Sequence, residues 1–342
     1  MNQMNNSFIK HLLITLIIFS NYSFGKEFEE LFTIYVPIEN TSKIESSINQ
    51  SFNNLVFRIS GSKSPSNIWK IINSGSSRKD FITSYSIKNI NDMSYLEVNF
   101  NQNLVIDKFK KLSIPIFGYS RPVIFFLINV ESGSEDPYFI SKDSTNDIDI
   151  YIKESLDRLS NERGLFLELP VLDLEDETFL TNTSILNSPQ QYLISKYDFD
   201  EYVDIKLINF GLKKWLIKGD INTDFNKESY LEDIKQSLDN YLESLINTTF
   251  SDLKIDTSKT ILLEVNIEGI YSYEDYEILK EKLLKNIAIT NLEILNLKND
   301  TITYKINAMG DINNFKKSIE NNTFFEFLSE KTENNLSLRF LK

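Results

Sequence analysis

Arg121–Val130 reads RPVIFFLINV, and beyond Pro122 only Asn129 is polar. A half-buried strand alternates apolar and polar side chains, whereas a strand covered on both faces is apolar nearly throughout. The stretch therefore predicts a central strand and places the chain among α+β proteins.

The segments before it support that class. FTIYVPI (Phe32–Ile38) reads as a strand ending at Pro37. Ser42 and Glu45 have the spacing of a capping box, and Ile44, Ile48, Phe52 and Leu55 recur at helical spacing. Ser64-Pro65 has the pattern of a helix start, with Gly75 as its stop. Tyr95–Phe100 alternates as a strand, and Leu104, Val105, Phe109 and Leu112 line a further helix. We read residues 26–130 as one α+β domain. Residues 131–146, rich in Ser, Asp and Gly, read as a linker.

Residues 147–250 read as a middle α/β module. Its helix carries Ile148, Ile152, Leu156 and Leu159 and stops at Gly164; a hairpin follows around Gly211, and a long closing helix runs through Leu231, Ile234, Leu238 and Leu242. Residues 260–342 order as strand (ILLEVNI), helix capped by Ser272, strands NLEILNL and ITYKINA, helix, and strand LSLRFL. That is βαββαβ, the ferredoxin-like order, so the chain reads as three small modules in series.

The N-terminus has the three parts of a secretory leader. Lys10 and His11 precede the apolar run Leu12–Phe19, and Ser23-Phe24-Gly25 offers small residues for cleavage before Lys26. The run is shorter than the roughly 20 residues of a membrane span, and no Cys follows it to carry a lipid. The reading is a signal peptide over residues 1–25, periplasmic export, no stable transmembrane span after cleavage and no lipid anchor.

Composition narrows the chemistry. The chain has 49 acidic and 36 basic residues, a net charge of −13, and loss of the leader with Lys10 makes it one unit more negative. Such a surface repels nucleic acid. Cys is absent, and the single His, His11, lies in the leader. The mature chain thus lacks the side chains of Ser-His-Asp and Cys-His sites and of thiolate or imidazole metal sites. Carboxylate, Lys, Tyr and Ser-Lys chemistry remain, and no cofactor is expected.

Two places invite a functional reading. In Glu162–Glu177, ERGLFLELPVLDLEDE, an apolar run ends in Asp173, Glu175, Asp176 and Glu177. Their oxygens could hold Mg²⁺ or Ca²⁺, but the spacing is not that of a calcium loop, and acids at a strand-to-helix junction commonly cap N–H groups. Arg121 could bind an anion at the mouth of a buried strand, or satisfy internal carbonyls. The aromatic run Ile114–Phe126 reads as core rather than as a sugar platform, Trp69 and Trp215 read as packed, and Tyr271-Ser272-Tyr273 reads as an exposed interface candidate.

Several segments resemble one family, the uncharacterised exported proteobacterial family named "domain of unknown function twenty-sixty-six". They are LFTIYVPI (Leu31–Ile38), LVFRISG (Leu55–Gly61), YLEVNF, IPIFGYSRPVIFFLINV (Ile114–Val130), ERGLFLELPVLDLED (Glu162–Asp176) and YDFDEYVDIKLINFGLKKWLI (Tyr197–Ile217). Phe117 stands where that family tends to have Trp. The resemblance implies export from a Gram-negative cell and carries no catalytic residues. The functional expectation is a non-catalytic binding or scaffolding component of the cell envelope, with envelope proteins as partners. The alternatives are a carboxylate-dependent hydrolase acting on envelope sugars or phosphates, and a small-ligand carrier.

Overall fold

A computed structural model describes residues 26–38, 44–90, 93–132, 136–176, 189–209, 214–226, 230–320, 324–332 and 334–342. The leader, Ser42, Glu177, Gly211 and Leu212 lie outside the described residues.

The chain begins with β1 (Lys26–Glu27) and β2 (Thr33–Pro37), then α1 (Ile44–Ser60) and α2 (Pro65–Asn73). β3 (Ile82–Ile90), β4 (Met93–Phe100), α3 (Gln102–Lys111), β5 (Ile116–Phe117) and β6 (Ser120–Arg121) follow. β2, β4 and β3 form an antiparallel sheet in that order. Ser64 caps α2 with Pro65 at its first turn, as its sequence predicts. Ile68 and Ile71 supply the buried face of α2 and leave Trp69 58% exposed, so the expectation of a packed Trp69 does not hold. Trp215 is partly buried against the second core.

β7 (Val123–Ser132) is the central strand of the next sheet. It is followed by β8 (Tyr138–Phe139), α4 (Asp147–Arg163), β9 (Phe166–Glu168), α5 (Pro189–Ile194), β10 (Glu201–Asn209), β11 (Lys214–Gly219), β12 (Thr223–Asn226) and α6 (Tyr230–Asn247). The strand order is β12-β11-β10-β7-β8, with β9 also paired to β7. One face of β7 sends Ile124, Phe126, Ile128 and Val130 into a core with Ile152, Leu156, Leu238 and Leu242 of α4 and α6. The other sends Phe125 and Leu127 against Leu193, Tyr197 and Phe199. Both faces are covered, which accounts for the unbroken apolar run.

Sheet membership therefore falls differently from the expected blocks. The sequence places β7 in the first block, yet it belongs to the second sheet, and the expected linker holds β8, which pairs with it. The physical reason is that a fully apolar strand carries no mark of which neighbours cover it.

The last region comprises β13 (Lys254–Ile255), β14 (Thr260–Glu268), α7 (Tyr273–Lys285), β15 (Ile289–Lys298), β16 (Thr301–Met309), α8 (Ile312–Glu320), β17 (Phe325–Thr332) and β18 (Asn335–Phe340). Its sheet order is β15-β16-β14-β18-β17. The first half keeps the split-βαβ arrangement expected of a ferredoxin-like module. The second half departs from it: β18 lies parallel to β14, and the unexpected β17 pairs with β18 at the far edge. Register shifts between Phe327 and Ser329 and between Glu330 and Thr332 break the two-residue period of β17, which hides it from pattern reading. The buried side chains of this sheet and of the first sheet form one continuous core.

Among the described residues, no helix is long and apolar enough to cross a membrane.

Candidate functional site

The acidic cluster is a capping device. Beyond β9, the Asp173 N–H donates to Oδ2 of Asp176 at 3.1 Å, and the Asp176 N–H donates to Oδ1 of Asp173 at 2.8 Å. This reciprocal pair starts the helical turn at Leu174. Asp176 is 1% exposed. Its Oδ1 accepts the Tyr192 hydroxyl at 2.8 Å and pairs with the Lys196 ammonium. Burial pushes the Asp176 carboxyl up, but the hydrogen bonds from Lys196, the Asp173 N–H and Tyr192 together hold it below its ordinary value. The same bond raises Lys196 above its ordinary range. Asp176 thereby pins α5 and the residues after it next to Phe125 and Leu127. Glu175 is exposed, and among the described residues no group of three or more carboxylates converges to hold a metal ion.

Arg121 is fully buried and is closed to an anion. Its Nε donates to Gly118 O at 2.5 Å, Nη1 to Arg163 O at 3.2 Å, and Nη2 to Arg58 O at 3.1 Å and Phe117 O at 2.7 Å. The Phe117 ring lies 4.0 Å below the guanidinium. The Arg58 and Arg163 carbonyls belong to the last turns of α1 and α4, where helices leave C=O groups without partners and carry partial negative charge. Burial, with Arg58 nearby, lowers Arg121 well below its ordinary value.

Two further buried arginines join this hub. Arg58 donates to Glu30 O at 2.9 Å, to Thr33 O at 2.8 Å and to Asn161 O, and burial pushes it down to about 10. Arg163 pairs with Asp239 at 2.8 Å and Glu243 at 2.6 Å on α6. Gly164 ends α4 in the left-handed region at φ 62°, and a Cβ there would lie 3.0 Å from Cγ of Arg58. The hub ties α1, β6, α4 and α6 together.

Two concavities stand out among the described residues. One, lined by Glu27, Tyr119, Lys282, Lys285, Asn286 and Ser318, encloses about 70 Å³, and the Lys285–Glu27 pair at 2.5 Å crosses it. That is well below the roughly 300–1,000 Å³ of small-molecule sites. The second, of about 440 Å³, is an apolar slot between the start of α7 and the end of β15.

The slot is built from local rules. Ser272 caps α7 and forms a reciprocal box with Asp275, placing Tyr273 and Tyr276 one turn apart with ring centroids at 5.9 Å. The Ile270 N–H donates to Asp300 O at 3.0 Å and fastens the loop before α7 to the β15–β16 turn. Asn299 takes φ 55° in that two-residue turn, a conformation Asn tolerates. β15 is an edge strand. Ile294 lies opposite Tyr304 and Leu297 opposite Ile302, so an additional residue at Leu295 puts both on the helix-facing side. α7 leaves them open to solvent: Ile294 is 47% and Leu297 66% exposed, and Tyr271 and Tyr273 on the other wall are 81% and 76% exposed.

Tyr271-Ser272-Tyr273 was legible as an exposed candidate, but its counterpart on β15 was not. NLEILNL reads as a period-two strand with Leu295 and Leu297 on one face, and only the bulge reveals that Ile294 and Leu297 share a side. The acid cluster and Arg121 are near neither wall of the slot. The chain matches no family model, no curated protein and no solved structure.

Proposed function

We propose that this is an exported, periplasmic, non-catalytic binding or scaffolding component of the Gram-negative envelope. The observation that carries the reading is the β15 edge: a strand that among the described residues is paired on one side only, with Ile294 and Leu297 exposed beside a tyrosine-lined slot. An exposed apolar patch of this kind, rimmed by polar groups, is the ordinary mark of an interaction site. A second open edge, β3, supports the same reading with Tyr85 and Ile87, which lie opposite Val98 and Leu96 on the core side and remain exposed. The carrier reading draws on the volume of the slot, yet its tyrosine wall lies open to solvent, whereas small-molecule sites bury about 70–90% of their ligand.

The test is recovery of partners from solubilised envelopes by the wild-type chain and by Leu297→Asp, alongside turnover assays on envelope glycans and phosphate esters. The reading expects specific partners that the variant recovers poorly, and no turnover. Turnover abolished by the exposed Asp173→Asn change would overturn it.

A further inference from the structure

We propose that Lys26, Glu27 and Phe28 form a maturation clasp: once closed on the body they withhold the Gly25–Lys26 bond from a leader peptidase, so the leader is removed before this end of the chain folds. This rests on the export reading above, with its cut before Lys26, and adds the order of events.

The first observation is what three consecutive side chains hold. Lys26 pairs with Glu168 of β9 at 2.5 Å, and its ammonium lies 5.8 Å from the centre of the Phe166 ring. Glu27 accepts from Nζ of Lys285, at the end of α7, at 2.5 Å. The Phe28 ring sits 5.8 Å from that of Phe166 and 5.2 Å from the Arg58 guanidinium on α1. The clasp thus touches the second sheet, the last region and the first helix within three residues. A two-residue strand has little stability of its own. These side-chain contacts, with the Phe28 N–H donating to Tyr119 O at 2.9 Å, are what keep β1 on β6.

The second is where pairing stops. Lys26 lies opposite Arg121, so the next positions of the partner strand are Pro122 and Val123. Pro122 has no N–H, and its carbonyl already accepts the Phe166 N–H at 3.3 Å. The Val123 N–H donates to Asp200 Oδ2 at 2.7 Å, and the Val123 carbonyl accepts the Asp200 N–H at 2.9 Å. Neither residue has a backbone donor left to extend the ladder ahead of Lys26, and both carbonyls are taken. The body therefore takes hold of the chain at Lys26, the residue before which the leader pattern places the cut.

The third is what a peptidase needs. It draws in its substrate as an extended segment, which demands backbone free of other partners on both sides of the bond. With the clasp closed, the two residues after the bond are paired with β6 and fastened through both side chains. Cutting then waits for the clasp to open, and its rate tracks the open fraction. Both ion pairs are partly exposed and each contributes little alone, so the clasp opens without global unfolding.

The experiment uses the full-length precursor and a purified leader peptidase in detergent micelles, with cleavage before Lys26 verified by N-terminal sequencing. Three samples are compared: precursor added unfolded from urea, refolded precursor, and refolded precursor carrying Glu168→Lys and Lys285→Glu. The double change repels Lys26 and Glu27 and leaves the sequence around the cut intact. The expected result is that refolded wild type is cut at least about tenfold more slowly than either of the others. In the processed chain, the Phe28 amide should exchange with solvent far more slowly than that of an unstructured tail. The proposal is overturned if refolded wild type is cut as fast as the unfolded precursor, or if the double variant is as resistant as wild type. Circular dichroism reports whether the double variant folds; should it not, the Phe28 amide decides, and exchange at the rate of a free tail overturns the proposal. If the unfolded precursor is not cut before Lys26, the export reading falls and takes this order of events with it. If it is cut there at the same rate as refolded wild type, this inference alone falls.

Discussion

Ile294 and Leu297 stand on the same face of β15 although three residues separate them, because Leu295 is an additional residue in the ladder with β16. A strict two-residue period would have turned one of them to the opposite face. The bulge thus converts an ordinary edge strand into one with an apolar shelf.

Leu297→Asp is expected to change stability by no more than about 0.5 kcal/mol, since the side chain is already largely in water. Binding of a hydrophobic fluorescent dye should fall. Urea unfolding and dye titration of the same preparation check both; a large loss of stability would mean that Leu297 packs into the core.

Arg121→Met is expected to destabilise by roughly 3–5 kcal/mol, in the range seen when one member of a buried charged network is removed. Four carbonyls would lose their donors at once. Arg121→Lys should not restore stability, because a single ammonium cannot span the positions that the planar fork reaches. Denaturant midpoints of the three proteins test this.

Asp176→Asn is expected to cost about 1–3 kcal/mol by weakening the charged bonds to Lys196 and Tyr192. Asp173→Asn should cost less, its carboxyl being 62% exposed. Equal losses would contradict the view that Asp176 alone is the buried anchor.

Acid should destabilise the hub. Burial raises Glu243, but its bonds to Arg163 and the Lys63 N–H lower it further, so its folded value lies below its ordinary 4.5. The unfolded chain then takes up this proton first as pH falls. The stabilisation is present above about pH 4.5 and is lost as pH drops through the folded value. Glu243→Gln should be less stable near neutrality and should show a flatter decline below pH 4.5. Asp200 acts in the opposite sense: burial raises its carboxyl despite the Val123 N–H at 2.7 Å, so stability declines as pH rises through its titration. Stability curves of the two single variants, Glu243→Gln and Asp200→Asn, separate these contributions.

Much of the architecture could be read from local signals. Ser64-Pro65 marks α2, Gly164 stops α4, Ser272 starts α7, and Ile124 to Val130 announce a strand covered on both sides. The role of Asp173 and Asp176 as caps was also accessible, because their three-residue spacing at a strand end is that of reciprocal N–H bonding. What pattern reading missed depends on distant contacts or broken periods. The two covers of Phe125 and Phe126 come from segments up to about 120 residues away, so the strand's sheet could not be assigned. β17 was hidden by its register shifts, and the shelf on β15 by its bulge. Arg121 reads as a lone cation until the ends of α1 and α4 are brought to it.

The most direct measurement is site-specific photo-crosslinking in intact cells, with the reactive residue placed at Leu297 or, as an equally apolar and still more exposed comparison, at Leu174. The account predicts a discrete adduct with another protein from position 297 and none from position 174. Adducts from position 174 alone would contradict it and return attention to the acidic turn beside Asp173.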